Sequence, residues 1–117
     1  MAKEIASPGE LMEMVNAFRI SKIILSAYEL GIFTILKDGA LTYIEVADAM
    51  RMSRRSTDRF MNALVSLGLL KKINGQFSGT PFSLKYLVKG EPAYLAGLSH
   101  QVNLLKTWST LTDSVKA

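Results

Sequence analysis

The stretch Ser53–Ser78, SRRSTDRFMNALVSLGLLKKINGQFS, passes from a helical pattern directly into a hairpin pattern. Its first part repeats apolar residues at helical spacing on one face: Phe60, Leu64 and Leu67. Gly68 ends this helix, and Asn74-Gly75, placed between residues that tolerate strand, is a strong short-range hairpin signal. The stretch therefore predicts a helix capped by Ser53 and followed by a short β-ribbon.

Helix signals also lie before this stretch. Ser7-Pro8 is suited to begin a first helix, with serine as the N-cap and proline in the first helical position. Gly31 interrupts that helix, and a short second helical piece follows it. Thr42 with Glu45 three residues later has the spacing of a capping box, which predicts a third helix that ends near Arg51.

After the hairpin, Phe82–Val88 reads as one or two helical turns, and the chain then ends in a continuous amphipathic helix. That last helix carries apolar residues at steps of three and four: Leu98, Val102, Leu105, Trp108, Leu111 and Val115. Helices, a ribbon and further helices in this order are typical of a mainly α, winged helix-turn-helix-like domain with a short β-hairpin wing. We expect one domain over residues 1–117, with flanking helices at 8–37, the winged-helix core with its hairpin at 41–80, and C-terminal helices at 81–117.

The composition is that of a folded domain that spans no membrane. Of its 117 residues, 49% are hydrophobic and 21% are charged, and there is no cysteine to form a disulfide or a thiolate-based metal site. The longest apolar stretch, Ile20–Leu36, is interrupted by Lys22 and Glu29 and falls short of the roughly 20 residues that a membrane span needs. With no signal peptide pattern, the expected location is the cytoplasm.

The first helix is apolar over more than one face, which usually means that a helix is buried on two sides. In so small a domain we expect one side to belong to a partner chain, and a two-fold contact would bury the same patch on both chains. The predicted homodimer interface comprises Leu11, Met14, Val15, Phe18, Ile20 and Ile24.

The net charge of +4 admits a second function, DNA binding by a dimeric winged-helix regulator. The residues that would contact DNA are Arg54, Arg55 and Arg59 on the second helix of the turn motif, with Lys71 and Lys72 on the ribbon. The alternative is that the arginines form a solvent-exposed basic face, with their repulsion reduced by water and by Asp58. The two lysines would then prevent edge-to-edge pairing of the exposed strand. We favour the alternative, so nucleic acid is not the expected partner.

The chain shows no catalytic motif. Neither a G-x-G-x-x-G nor a G-x-x-x-x-G-K-[ST] sequence occurs, and His100, the single histidine, cannot form a metal site or a catalytic triad alone. We therefore expect no catalytic residue, no metal and no bound cofactor in this chain.

Three stretches together resemble the N-terminal dimerisation domain of S-adenosylmethionine-dependent O-methyltransferases, the family of caffeate, polyketide and indole O-methyltransferases. They are Ser21–Phe33 (SKIILSAYELGIF), Phe60–Leu70 (FMNALVSLGLL), and Thr80–Val88 (TPFSLKYLV) with the Pro92–Leu95 segment that follows. Generic winged-helix regulators share the second stretch but not the third. The resemblance covers nearly the whole chain.

The resemblance implies a winged-helix-like module that dimerises through interlocking first helices and closes over the substrate pocket of a catalytic domain. It places the helix around His100, Leu104 and Trp108 near the substrate and assigns S-adenosylmethionine to the catalytic domain of the parent enzyme. Family members continue into that domain, whereas this sequence ends before it, so we expect a fragment of a longer enzyme. A stand-alone module that occupies an enzyme's dimer interface remains a third reading, and the methyl acceptor, oxygen, nitrogen or carbon, stays open.

Overall fold

The computed structural model describes residues 3–117, so Met1 and Ala2 of the expected 1–117 domain lie outside the described part. The chain is mainly helical with one small sheet. In order, the elements are α1 (Pro8–Leu30), α2 (Ile32–Ile35), β1 (Leu41–Thr42), α3 (Tyr43–Met50), α4 (Arg54–Ser66), β2 (Leu70–Ile73), β3 (Gln76–Gly79), α5 (Pro81–Tyr86), α6 (Leu98–Trp108) and α7 (Leu111–Lys116). The mainly α, winged helix-turn-helix-like fold is confirmed.

The helix starts follow the local sequence. The Ser7 hydroxyl accepts a hydrogen bond from the backbone N–H of Glu10 at 3.2 Å. Thr42 and Glu45 form the predicted capping box, with the two bonds at 3.2 and 2.9 Å. Ser53 caps α4 through the N–H of Ser56 at 3.3 Å. Each bond satisfies a backbone N–H that has no partner within its helix, which is why these residue types mark the boundaries.

The ribbon forms as predicted and gains a third strand. Strands β2 and β3 pair antiparallel around Asn74-Gly75, and β1 adds to the other side of β3 with Leu41 opposite Phe77. Strand β1 is not predicted from the sequence, because two residues are too few to show a strand period.

Helix α4 buries a different stripe from the predicted one. Thr57, Met61 and Leu64 are fully buried, whereas Phe60 and Leu67 are only half-buried. The helix packs against α1 and α3 as well as against β2, so its most enclosed side is rotated away from the expected face and shares only Leu64 with it. Periodicity finds the apolar half of a helix but not the point of closest packing.

The hydrophobic core joins the end of α1 to α2, α3, α4, the sheet and the segment after α5. Its buried members are Ala27, Ile32, Phe33, Leu36, Val46, Met61, Leu64, Leu70, Phe77, Leu87 and Val88. The first four turns of α1 contribute nothing to it.

The expectation of one continuous last helix is wrong, because α6 ends at Trp108 and α7 begins at Leu111. The hydroxyls of Ser109 and Thr110 donate to the carbonyls of Lys106 and Thr107. Such side-chain bonds offer the backbone an alternative to continued helix. Over residues 3–117, no helix is both long enough and apolar enough to cross a membrane.

Candidate dimer interface and cleft

The first half of α1 projects away from the core. Between Pro8 and Lys22 every residue except the half-buried Asn16 is exposed. Of the predicted interface residues, Met14 is 66% exposed and Phe18 57%, and Leu11, Val15 and Ile20 are each about half exposed. Ile24 is half-buried, at the point where α1 meets the rest of the fold. The chain's own core therefore covers neither apolar side of this half-helix, although one side was expected to be covered.

The overall dimensions reflect this projection. The radius of gyration is 16.9 Å, whereas a compact chain of this length has about 13 Å. The accessible surface is 8299 Å², roughly 2,000 Å² more than a folded monomer of this mass usually exposes. An excess of that size per chain is comparable to what each subunit of a large, permanent dimer buries.

A cleft opens between the end of α1, α2 and α6. It has a volume of about 830 Å³, which is within the usual range of small-molecule sites. Its walls are formed by Tyr28, Glu29, Leu30, Gly31, Thr34, Ile35, Lys89, Tyr94, Ala96, Ser99, Val102, Asn103 and Lys106. Apolar, aromatic and charged side chains thus converge on one concavity.

Two stacked tyrosines form one wall of the cleft. The rings of Tyr28 and Tyr94 lie 5.5 Å apart and are almost parallel, and the Tyr28 hydroxyl donates to the carbonyl of Ala96 at 3.2 Å. Partial burial, and then the facing Tyr28 hydroxyl, raise the pKa of Tyr94 to about 12. Both contacts fasten the loop between α5 and α6 to α1.

An ion pair spans the cleft, with the Lys106 ammonium 3.7 Å from a Glu29 carboxylate oxygen. Both side chains are about half exposed, so the pair contributes little to stability but places charge beside the tyrosines. Within residues 3–117 no group of three or more histidine, cysteine, aspartate or glutamate residues could hold a metal ion. The cleft therefore combines an aromatic wall with one exposed ion pair.

The residues predicted to lie near the substrate are not the ones that line this cleft. Helix α6 faces the cleft with Ser99, Val102, Asn103 and Lys106, whereas His100 and Leu104 lie on another side of it. Trp108 lines a separate groove. The signal that could have found the cleft residues is their own spacing of three, one and three, which places them on one helical face.

That separate groove lies between α1 and α6. It has a volume of about 380 Å³ and is bounded by Phe18, Lys22, Leu105, Trp108 and Ser109. Trp108 is 64% exposed although it is the largest apolar side chain of the helix. This second concavity is almost entirely apolar.

The basic residues of the alternative DNA-binding interpretation are partly engaged within the fold. Arg54 forms a two-point ion pair with Asp48, at 3.0 and 2.8 Å, which ties the start of α4 to α3. Lys72 donates to the Asn62 side chain at 3.0 Å and lies 5.0 Å from the centre of the Phe77 ring. The side chains of Arg55, Arg59 and Lys71 are exposed. Asp58, which was expected to reduce the repulsion between these arginines, accepts a hydrogen bond from the Asn62 side chain. The carboxylate that pairs with Arg54 is that of Asp48.

Comparison with known proteins identifies a family and several relatives. Residues 12–89 match the family described as the O-methyltransferase dimerisation domain. The chain is 32% identical over 114 residues to the N,N-dimethyltransferase OxyT of Streptomyces rimosus, a match that covers 96% of this chain and 33% of that protein. It is 28% identical over 115 residues to the tetracenomycin polyketide synthesis 8-O-methyltransferase TcmO of Streptomyces glaucescens, covering 96% and 34%. The chain thus spans about a third of the length of these relatives.

Solved structures show the same architecture. An O-methyltransferase family protein from Burkholderia thailandensis superposes with a TM-score of 0.87 at 24% identity, covering 97% of this chain and 34% of that one. Human N-acetylserotonin methyltransferase in complex with SAM superposes with a TM-score of 0.80 at 27% identity, covering 99% and 36%. The named relatives are methyltransferases and not transcription regulators, which removes the support for a DNA-binding function.

Proposed function

The chain belongs to the family of O-methyltransferase dimerisation domains, and from this premise we propose that it is the dimerising and substrate-pocket-covering part of an S-adenosylmethionine-dependent small-molecule methyltransferase. Residues 8–37 supply the pairing helices, residues 41–80 form the winged-helix core, and residues 81–117 lead towards the catalytic part. The observation that carries the proposal is the exposed apolar half of α1 in an otherwise well-packed fold.

Dimerisation explains why that half-helix stays apolar. Exposed apolar patches of this extent on a small domain usually mark an interaction surface. A two-fold contact between identical chains covers the patch on both at once and leaves no surface for further growth. We propose that Leu11, Met14, Val15, Phe18, Ile20 and Ile24 lie in that homodimer interface.

Substrate covering is proposed for the cleft. Its tyrosine pair supplies a flat apolar wall, and Glu29, Lys106 and Asn103 supply polar groups that can orient a ligand. We propose that Ser99, Asn103 and Lys106, rather than His100 and Leu104, are the α6 residues nearest to the substrate. The relatives' names include transfer to nitrogen as well as to oxygen, so family membership alone does not select the acceptor atom.

The methyl donor belongs to the catalytic part of the proposed parent enzyme. Binding S-adenosylmethionine in this class of enzyme uses a glycine-rich loop between a parallel strand and a helix. The sheet is antiparallel, with strands of two to four residues, so residues 3–117 do not provide a loop of that kind.

The test is the oligomeric state in solution. We expect light scattering at micromolar concentration to report a dimer, and Phe18→Glu to convert it to a monomer by placing a charge in the interface. Ile73→Glu is the matched control, because Ile73 is 66% exposed and lies on the ribbon rather than on α1, and we expect it to leave the dimer intact. A wild-type chain that is folded and monomeric at this concentration would contradict the proposal.

A further inference from the structure

We propose that the cleft between the end of α1, α2 and α6 binds an organic anion, and that Lys106 and Asn103 hold the carboxylate of that ligand. The inference rests on the substrate-covering role proposed above, because it names the chemical class of the molecule that the cleft takes. It makes Glu29 and Lys106 the residues that select the charge of the ligand.

The contact between Lys106 and Glu29 leaves the ammonium able to bind a ligand. The charged atoms are 3.7 Å apart, whereas a charge-assisted hydrogen bond between such groups is about 2.7–2.9 Å long. The side chains of Lys106 and Glu29 are 63% and 49% exposed. An ion pair so long and so exposed to solvent costs little to separate. A carboxylate that enters the cleft can therefore replace Glu29 as the partner of the ammonium.

The charges around the cleft favour an anion over a cation. Lys89 and Lys106 are its basic wall residues and Glu29 is its acidic one, so positive charge is in excess. Lys89 is fixed in the wall by its backbone N–H, which donates to the Thr34 hydroxyl at 3.1 Å. The net charge of +4 on the whole chain acts in the same direction. A cation would be repelled by both lysines.

Asn103 places a second donor beside Lys106. The two residues are three positions apart on α6, so their side chains are neighbours on one face of the helix. Both line the cleft. A carboxylate has two acceptor oxygens, and the lysine ammonium and the asparagine amide are both donors, so each can bind one oxygen.

The tyrosine pair suits the remainder of such a ligand. The hydroxyl of Tyr28 already donates to the Ala96 carbonyl, so what this wall offers is mainly the surface of its stacked rings. A flat apolar body can pack on that surface. The ligand class that follows is a flat apolar molecule with a carboxylate at one end.

Two aromatic probes test the selection by charge. 2-Naphthoate and 2-naphthamide share their ring system and differ in charge. We expect isothermal titration at neutral pH to show that naphthoate binds about fivefold more tightly than naphthamide, because a half-exposed ammonium is partly screened by water. We expect added salt to reduce this difference.

The outcomes of that titration separate this inference from the function proposed above. Equal affinities for the two probes would overturn the inference and leave the substrate-covering role standing. A cleft that binds neither probe would overturn both of these. Dimerisation is judged independently, by light scattering on the same samples.

Two substitutions that both remove the ion pair distinguish selection by charge from a structural role. Lys106→Gln removes the cationic donor, and we expect it to raise the dissociation constant of naphthoate about fivefold. Glu29→Gln removes the carboxylate that competes for Lys106, and we expect it to lower that constant about threefold. Changes in the same direction would show that the pair only supports the shape of the cleft, and would overturn the inference.

Lys116→Gln is the matched control for the loss of one positive charge. Lys116 is exposed on α7 and does not line the cleft. We expect this variant to bind naphthoate as the wild type does. A loss equal to that of Lys106→Gln would assign the effect to net charge and not to the cleft.

The position of the bound probe is measured by NMR. The groove that Trp108 lines is apolar and is the competing site for an aromatic probe. We expect naphthoate to shift the backbone amide signals of Tyr28 and Ser99 and to leave the indole N–H signal of Trp108 unchanged. The opposite pattern would place the probe in the groove and overturn the inference.

Discussion

At the level of single residues, two buried hydroxyls experience opposite environments. Ser83 is fully buried, and its hydroxyl donates to the Leu69 carbonyl at 2.7 Å. The same hydroxyl accepts a hydrogen bond from the Thr80 hydroxyl at 3.1 Å. Thr57 is 2% exposed, and its hydroxyl has no hydrogen-bond partner among the described residues. A buried polar group stabilises a fold only when it is paired, so the two hydroxyls contribute with opposite sign.

Replacing each hydroxyl tests that contrast. Thr57→Val keeps the shape of the side chain and removes an unpaired polar atom, and we expect it to raise the free energy of unfolding by about 1 kcal/mol. Ser83→Ala leaves the Leu69 carbonyl unsatisfied, and we expect it to lower that free energy by about 1–3 kcal/mol. Urea denaturation at one fixed protein concentration measures both, since the stability of a dimer depends on concentration. Destabilisation by Thr57→Val would show that its hydroxyl does find a partner.

The ion pair between Asp48 and Arg54 explains how α4 tolerates arginine in its first turn, where the helix dipole disfavours cations. The two-point hydrogen bond from Arg54 lowers the pKa of Asp48 below its ordinary value of 3.8. A lowered pKa means that the folded state prefers the carboxylate. The pair therefore adds stability above pH 3.8, and that contribution is lost as the pH falls through the lowered value.

Asp48→Asn removes this pH dependence. We expect the variant to be slightly less stable than wild type at neutral pH and the difference to vanish in acid, where Asp48 of the wild type is protonated too. Urea denaturation midpoints of wild type and variant, each determined at neutral pH and in acid, measure the difference in stability. A difference of the same size in acid and at neutral pH would assign the effect to packing rather than to charge.

At the level of elements, the ribbon is joined to α5 by a close backbone approach at Gly79. A Cβ added there would lie 2.6 Å from Cδ2 and 2.7 Å from Cγ of Leu84. Gly79 closes β3, and Thr80 caps α5 immediately afterwards, so the strand and the helix meet with no room for a methyl group.

Gly79→Ala is expected to lower the free energy of unfolding by about 1–3 kcal/mol, because overpacking forces Leu84 or the strand to move. Gly97→Ala is the matched control: its backbone is helical, with φ of −64°, and no atom lies within 4 Å of the added carbon. We expect the control to be neutral or slightly stabilising. Thermal unfolding of the two variants compares them directly, and equal losses would refute the steric explanation.

At the level of the whole molecule, exposed apolar surface is concentrated on the first half of α1, with a smaller share at Trp108 and on α7. The wing and the arginines give the chain the outline of a DNA-binding domain, but Arg54 and Lys72 already have partners within the fold. The apolar side chains in the first half of α1 stay exposed in the described chain. The surface that needs a partner is therefore apolar and not basic, which agrees with the family to which the chain belongs.

The proposal that S-adenosylmethionine binds to a separate catalytic part, and not to this domain, can be tested on the chain alone. We expect isothermal titration with S-adenosylmethionine to show no binding, because no strand–glycine loop–helix unit exists among residues 3–117. Micromolar affinity for the cofactor would contradict this assignment.

Features that depend on neighbouring residues could be predicted from the sequence. The caps at Ser7, Thr42 and Ser53 each join a side chain to a backbone N–H three residues away, and the Asn74-Gly75 turn needs only a local backbone conformation. Such interactions form whenever the local chain adopts its preferred structure, so residue type and spacing are sufficient. The apolar excess of α1 was evident for the same reason, because it depends on composition and helical period alone.

Features that join distant parts of the chain depended on how the elements pack. The pairing of Leu41 with Phe77, the stack of Tyr28 on Tyr94 and the ion pair of Glu29 with Lys106 connect residues that are far apart in sequence. The period of α6 shows that it has distinct faces, but only its docking against α1 places Ser99 and Asn103 in the cleft and Trp108 in the groove. The sequence of a helix does not determine which of its faces meets which neighbour. The rotation of the helix about its axis is set when another surface packs against one side, and that contact exists only in the folded chain.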